Sequence, residues 1–261
     1  MKTVKQSDNN IILAIDTSTA ELTAAILQNG QCLNEIRLRA ERSHSTQLIP
    51  SIQKLLSDID LKMKDLDGIA AGHGPGSYTG VRITVTVAKT LAWTLKIPLH
   101  GVSSLEGLSY GLYQDLKNEN KLEENGTAMW IIPILNARRG QVYTGLYEHR
   151  NNESSSVIDD GIRLMESWIE EVSEKLKTQS FSKQILFVGD IKDFEFEIST
   201  FENISGQKVQ CFEKPMSAFD IGILALKHLE RSEINEPHHF TPNYTQLAEA
   251  ERNLKIDSPV K

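Results

Sequence analysis

The chain has 261 residues, 39% of them hydrophobic, and its 28 Lys and Arg against 35 Asp and Glu give a formal charge of −7. That length lies near the size where single cores stop growing, so two domains are expected, and the acidic balance argues against unaided binding to nucleic acid, which needs a basic footprint to displace counterions. No uncharged apolar run approaches the ~18 residues of a membrane span and residues 1–10 lack the apolar core of a signal peptide, so a soluble, intracellular protein is expected.

Residues 11–15 form an apolar run of strand length, and 22–27 a second that ends at the hairpin signal Asn29-Gly30. Residues 31–38 then supply a third strand through Cys32, Ile36 and Leu38. Over 45–59, Leu48, Ile52, Leu55, Leu56 and Ile59 gather on one helical face, with Pro50 near the helix start, where proline is tolerated. Residues 67–71 read as a fourth strand, 78–96 as a second helix and 98–102 as a fifth strand. A similar order recurs. Leu105, Leu108, Leu112 and Leu116 mark a connecting helix, 117–126 a polar loop, and 129–135, 141–147 and 157–164 three strands. A helix follows over 167–177 with Trp168, Ile169, Val172 and Leu176, then a strand over 185–188. A last helix is opened by Pro215 and Ser217, with Asp220 as a capping-box variant. Two units of three strands with interleaved helices predict a duplicated α/β fold. Cys32 and Cys211 stand alone in strand-like segments without a C-x-x-C pair, which predicts buried thiols, no zinc site and no disulfide between them.

The run Gly72-His73-Gly74-Pro75-Gly76-Ser77-Tyr78-Thr79-Gly80-Val81-Arg82 joins the fourth strand to the second helix. Such a junction brings bare backbone to a helix N-terminus, which suits either an anion or tight strand-helix packing. No common motif fits. Thr79 stands where a dinucleotide fingerprint needs its third glycine, no Gly-Lys-Ser/Thr follows, and Pro75 breaks a G-x-S-x-G elbow. The second helix carries two stripes: Val81, Val85, Ala88 and Ala92 on one side, Ile83, Val87 and Leu91 on roughly the opposite side. A helix on a sheet needs one apolar face, so the other calls for a further element or another chain.

The glycine run, Asp16-Thr17-Ser18-Thr19 after the first strand, Ser43-His44-Ser45, Ala88-Lys89 and Asn136-Ala137-Arg138-Arg139-Gly140-Gln141-Val142-Tyr143 together resemble the TsaB (YeaZ) family over nearly the whole chain from Ile11. The resemblance implies an actin-like (ASKHA) α/β fold of two ribonuclease-H-like domains related by duplication and facing a cleft. Its divisions would be a flexible terminus over 1–10, a first domain over 11–105 joined by a helix over 216–234, a second over 106–215, and a tail over 235–261. It also implies a non-catalytic dimerisation and scaffold subunit in making N6-threonylcarbamoyladenosine beside the anticodon of tRNAs that read codons beginning with adenine. The implied partners are the catalytic paralogue TsaD, the ATPase TsaE, and a second copy of the chain when TsaD is absent. Transfer RNA would be reached only through the complex, in the cytoplasm and away from membranes. The implied partner surface is the pair of helices over 45–59 and 78–96, with Leu48, Ile52, Leu55, Val81, Val85, Ala88, Ile83, Val87 and Leu91.

Two departures from the catalytic paralogue favour a scaffold. TsaD carries two metal-binding histidines four residues apart on the helix after its fifth strand; Ser104 and Leu108 stand there in this chain, leaving Glu106 as a helix-surface carboxylate and no expected metal. The second phosphate loop of actin-like kinases needs small residues, whereas here it reads Asn136-Ala137-Arg138-Arg139-Gly140, and the adenine-side glycines reduce to Gly189. No cofactor is therefore required, although Asp16, Thr17, Ser18, Gly74, Gly76, Arg138 and Arg139 are the candidates for a weak, vestigial nucleotide site. Asp16 also reads as a turn residue satisfied by local N–H groups, and Arg138-Arg139 fits a nucleotide, the tRNA or a carboxylate equally well. His44 stands where Ser43 or Ser45 would cap the helix, and His238-His239 reads as a solvated pair. Pro242-Asn243-Tyr244 and Glu249-Ala250-Glu251 fit a tail packing on a partner or an ordinary terminus. The rival readings are an ATP-dependent small-molecule kinase or acyl-phosphate enzyme, favoured by Asp16-Thr17, and a metallopeptidase-like hydrolase, opposed by Ser104 and Leu108.

Overall fold

A computed structural model describes residues 10–40, 43–119, 128–151, 153–178, 184–230 and 235–245. The expected flexible terminus over 1–10 lies, but for Asn10, outside the described residues, as does Glu249-Ala250-Glu251.

The first half runs β1 (Ile11–Asp16), β2 (Glu21–Gln28), β3 (Gln31–Arg39), α1 (His44–Ser57), β4 (Gly68–Gly72), α2 (Tyr78–Leu95) and β5 (Leu99–Val102). Then follow α3 (Ser104–Asn118), β6 (Met129–Arg138), β7 (Gln141–Arg150), β8 (Glu153–Leu164), α4 (Met165–Lys177), β9 (Gln184–Gly189), α5 (Glu195–Ser205), β10 (Val209–Phe212) and α6 (Ala218–Glu230). Hydrogen bonding orders the strands β3-β2-β1-β4-β5 in one sheet and β10-β9-β6-β7-β8 in the other. The second order repeats the first, with β6, β7, β8, β9 and β10 in the places of β1, β2, β3, β4 and β5. In each sheet the first three strands are an antiparallel meander, and the last two run parallel to its central strand. This is the duplicated ribonuclease-H-like arrangement of the actin-like fold.

Alternation in the central strands turns one set of side chains to each face. Leu13, Ile15 and Ile26 meet α1 and α2 through Leu48, Ile52, Val85 and Ala88, while Ile12, Ala14 and Leu27 meet α6 through Ile221, Leu224 and Ala225. In the second sheet, Ile131, Leu186 and Val188 pack on α3, and Trp130, Ile132 and Phe187 on α4 and α5 through Trp168, Val172 and Phe201. Helices α3 and α6 touch each other and lie between the two sheets. Each fully buried leucine or isoleucine here contributes roughly 1.5–3 kcal/mol of transfer free energy.

Several details differ from the sequence reading. Cys32 and Cys211 are free and exposed, because both sit on the outermost strands of their sheets, β3 and β10, rather than within a core. Helix α5 was not anticipated, although Phe194, Ile198 and Phe201 recur at helical spacing. Pro50 falls in the body of α1 and not at its start. The polar stretch expected to be loop from 117 is still helical through Asn118, and residues 120–127 lie outside the described set. Ser217 does not cap α6 by a box with Asp220; its hydroxyl donates to Glu35 at 3.0 Å, and Asp220 faces Lys214 at 3.5 Å. Among the described residues, no helix is long and apolar enough to cross a membrane.

Candidate functional site

A cleft of about 1120 Å³ opens between the two halves. Its first wall is the β1–β2 turn (Ser18 to Glu21), His44 at the start of α1, and Gly76 to Thr79 at the start of α2. Its second wall is Leu135 to Arg138 from β6 and Gly189 to Asp193 after β9, with Lys214 and Met216 at the base.

The glycine run is shaped by what lies beneath it. Asp16 ends β1 fully buried, with Ser104 Oγ donating to its Oδ2 at 2.6 Å and the Ser18 N–H donating to its Oδ1 at 2.6 Å. Ser104 Oγ also accepts the Gly74 N–H at 3.1 Å, and the Gly74 carbonyl accepts the Ser104 N–H at 2.9 Å. Burial raises the Asp16 pKa, and the hydrogen bonds from Ser104 and Ser18 oppose that rise. Thr17 Oγ1 donates to the Gly80 carbonyl at 2.7 Å and lies 2.6 Å from Thr84 Oγ1. Gly74 adopts φ +92°, and a Cβ on Gly80 would collide with the Thr17 carbonyl oxygen, so glycine is required at both positions for stated reasons. The loop thus binds its own neighbours first.

The second wall is closed in a comparable way. The Asn136 N–H donates to Asp190 Oδ2 at 2.7 Å, Asn136 Nδ2 donates to Asp193 Oδ2 at 2.6 Å, and the Arg138 N–H donates to Asn136 Oδ1 at 2.7 Å. Burial raises the Asp190 pKa against the opposing Asn136 bond. Arg138 and Arg139 both take left-handed backbone, at φ 67° and 55°, and both are exposed.

Of the seven residues expected to form a vestigial nucleotide site, Ser18, Gly76 and Arg138 line the cleft. Asp16 and Thr17 are wholly covered behind it, and neither Gly74 nor Arg139 lines it. Glu106, expected on a helix surface, is largely covered and faces His228 Nε2 at 3.5 Å. Among the described residues, no three His, Cys, Asp or Glu side chains converge as a metal site. His44, set aside in the sequence as a neighbour of capping serines, is buried at the cleft wall, while Ser43 holds the cap position without a side-chain bond. Asp190 and Asp193 were also missed. Their signal was the Asp-x-x-Asp spacing after Val188-Gly189.

Comparison with known proteins gives the lineage. A tRNA threonylcarbamoyladenosine biosynthesis protein TsaB of Bacillus subtilis is 37% identical over 246 residues, covering 92% of this chain and 96% of its own length. The chain belongs to the TsaB (YeaZ) family. The TsaB of Escherichia coli is 33% identical over 54% of this chain and 56% of its own length. The family model for TsaD, described as tRNA N6-adenosine threonylcarbamoyltransferase, matches residues 38–254 of this chain. A crystal structure of a Pseudomonas aeruginosa protein described as similar to the peptidase YeaZ superposes with a TM-score of 0.72 at 25% identity, covering 91% of this chain and all of the other. A second structure, YeaZ of the same organism, gives 0.71 at 24% identity over 90% and 99%, which bears on fold alone. Membership in TsaB ties the chain to tRNA threonylcarbamoyladenosine biosynthesis.

On this TsaB fold the expected partner surface divides. Leu48, Ile52, Leu55, Val81, Val85 and Ala88 are all buried in the first core, so they have no surface to offer a partner. Ile83, Val87 and Leu91 are half-buried at the margin of the same core, whereas Trp93, 63% exposed, lies on another side of the helix with its ring 5.9 Å from that of His238. The inner stripe of α2 is therefore its sheet-facing side. Described residues of the tail pack on α2 and β5. Phe240 is buried against Gly101, Lys89 Nζ donates to the carbonyls of His238 and Phe240 at 3.4 and 3.1 Å, and the rings of Tyr244 and Tyr78 lie 5.6 Å apart.

Proposed function

We propose that this chain is the non-catalytic dimerisation and scaffold subunit of the tRNA threonylcarbamoyl transferase assembly. It supports formation of N6-threonylcarbamoyladenosine next to the anticodon of tRNAs that read codons beginning with adenine. It binds the catalytic paralogue TsaD and, with it, TsaE, meets tRNA only through that complex in the cytoplasm, and pairs with itself when TsaD is absent. The contact is made by the outer stripe of α2, Ile83, Val87 and Leu91.

The observation that carries this reading is the fate of Asp16. In an actin-like kinase the carboxylate at the end of β1 must face the cleft to order a metal-bound water; here it is fully covered and both oxygens are held by Ser104 and Ser18. The backbone donors that a second phosphate loop would need at Asn136 and Arg138 are taken by Asp190 and by Asn136 itself. Ser104, at the position of a metal histidine in TsaD, is spent on holding Asp16 and Gly74. A metal nucleotide does not fit these residues, so no chemical step is assigned to them and no cofactor is required.

The test is to assay purified chain for ATP hydrolysis and for threonylcarbamoyl transfer to tRNA, alone and with TsaD and TsaE added. The expected result is neither activity alone and transfer only with the partners. Robust turnover by the chain alone rejects the scaffold reading.

A further inference from the structure

One flank of α2 is held by the chain's own tail. At about 100° per residue, Tyr78, Lys89 and Trp93 fall on the flank of the helix opposite Ile83, Val87 and Leu91. The tail runs along them from one end of the helix to the other. The ring of His238 lies 5.9 Å from that of Trp93, Lys89 Nζ donates to the carbonyls of His238 and Phe240, and the ring of Tyr244 lies 5.6 Å from that of Tyr78. The same segment is fastened to the sheet. The Asn235 N–H donates to the Leu99 carbonyl at 2.9 Å, Asn235 Oδ1 accepts the Gly101 N–H at 2.6 Å, and the Asn243 N–H donates to the His73 carbonyl at 2.8 Å. The tail therefore ties α2 to the edge of β5 and to the glycine run.

Its seat is built for one side chain. Within 235–245 only Phe240 is buried; its ring meets that of His73 edge-on at 5.8 Å and covers Gly101, where a Cβ would collide with it. The rest of the segment is held by hydrogen bonds and ring edges, so its docking depends on that ring. The inner stripe of α2 consists of small side chains, Val81, Thr84, Val85, Ala88 and Ala92, whose shallow ridges seat the helix on the sheet and resist sideways movement little. Sideways shifts of about 1–2 Å in a packed helix are enough to switch an interface.

We propose that the tail is a strap that sets the position of α2 and thereby controls partner capture. With Phe240 seated, the outer stripe stands where TsaD is held; with the tail released, α2 moves sideways and capture is lost. This rests on the scaffold reading. The strap lies on the opposite flank and covers none of the outer stripe, which makes it a support rather than an inhibitor. Such coupling is reciprocal, so a bound partner must in turn hold the tail down.

The test is hydrogen exchange at the Gly101 and Asn243 amides of the full chain, read beside TsaD capture, for the parent, Phe240→Ala, Lys89→Met and Gly101→Ala. These changes lie on the tail, the helix and the sheet, and share only the docked tail. Lys89→Met keeps its apolar stem and empties no core, so it stays informative if Phe240→Ala does not fold. Each variant should exchange faster at both amides and capture TsaD about tenfold or more weaker, while added TsaD should slow exchange at both amides in the parent. Exchange unaltered in all three variants, a released tail with undiminished capture, or parent exchange indifferent to bound TsaD would each overturn this proposal alone. A parent that captures no TsaD would remove the scaffold reading and this proposal with it.

Discussion

Gly80 shows how one residue can invert an ordinary expectation. Alanine in a helix normally stabilises by about 1 kcal/mol over glycine, yet a Cβ here meets the Thr17 carbonyl, which is backbone and cannot rotate away. Gly80→Ala should therefore lower the melting temperature, whereas a neutral or raised value would mean the β1 end and α2 are not in this contact. His149 gives a pH test. It is buried beside Tyr113, with Nε2 2.7 Å from Ser109 Oγ, and burial depresses its pKa from 6.5 to about 3, with Lys227 adding to the effect. The unfolded chain then binds more protons than the native one between those values, so this residue costs stability as pH falls from 6.5 towards 3. Chemical unfolding at a series of pH values should show His149→Phe, which keeps a ring against Tyr113, closing its stability gap with the parent on acidification. A gap that stays constant or widens would contradict the assignment. At this scale the sequence was least informative. Asp16 could be seen to end a strand, but its burial depends on Ser104, 88 positions away, and such pairings leave no local trace.

At the scale of the element, the sequence showed that α2 has two apolar stripes and not which faces inward. Helical period alone makes both equally good candidates. The choice is made by packing against β4 and β1, which covers Val81, Val85, Ala88 and Ala92. Val85→Arg with Ala88→Arg places charge in that core, a change that commonly costs several kcal/mol, and the variant should fail to give a cooperative melt. Val87→Arg with Leu91→Arg should melt close to the parent and lose TsaD capture and self-association, as read by chromatography with light scattering. If the second pair unfolds instead, the stripes have been exchanged. The tail behaves as part of the same unit, since Phe240 belongs to the first core. Phe240→Ala should lower stability by about 3–5 kcal/mol in denaturant titration, the usual cost of emptying such a site. A cost near zero would mean the tail is not docked. Most strands and helices were legible because hydrophobic period reports them directly, whereas the order of strands in each sheet was not, and α5 and β10 are short and carry only a few inward residues each.

The whole molecule is two copies of one strand order with α3 and α6 between them, and the cleft lies where the copies face one another. Duplication was visible as a recurrence of elements in the sequence, and the family as letters in the glycine run and the β6–β7 hairpin. The closure of the phosphate-binding positions was only half visible: Arg138-Arg139 signalled it, but Asn136, Asp190 and Asp193 act through contacts across the fold. The central claim is that a kinase-like framework has been turned to holding a catalytic partner. Its most direct test is tRNA threonylcarbamoylation in a reconstituted mixture of TsaD, TsaE, the threonylcarbamoyl donor and unmodified tRNA, with this chain supplied as parent, as Val87→Arg with Leu91→Arg, or omitted. The parent should support modification, while the folded double variant should match the omission. Modification by the chain without TsaD, or undiminished support from the double variant, would contradict the account.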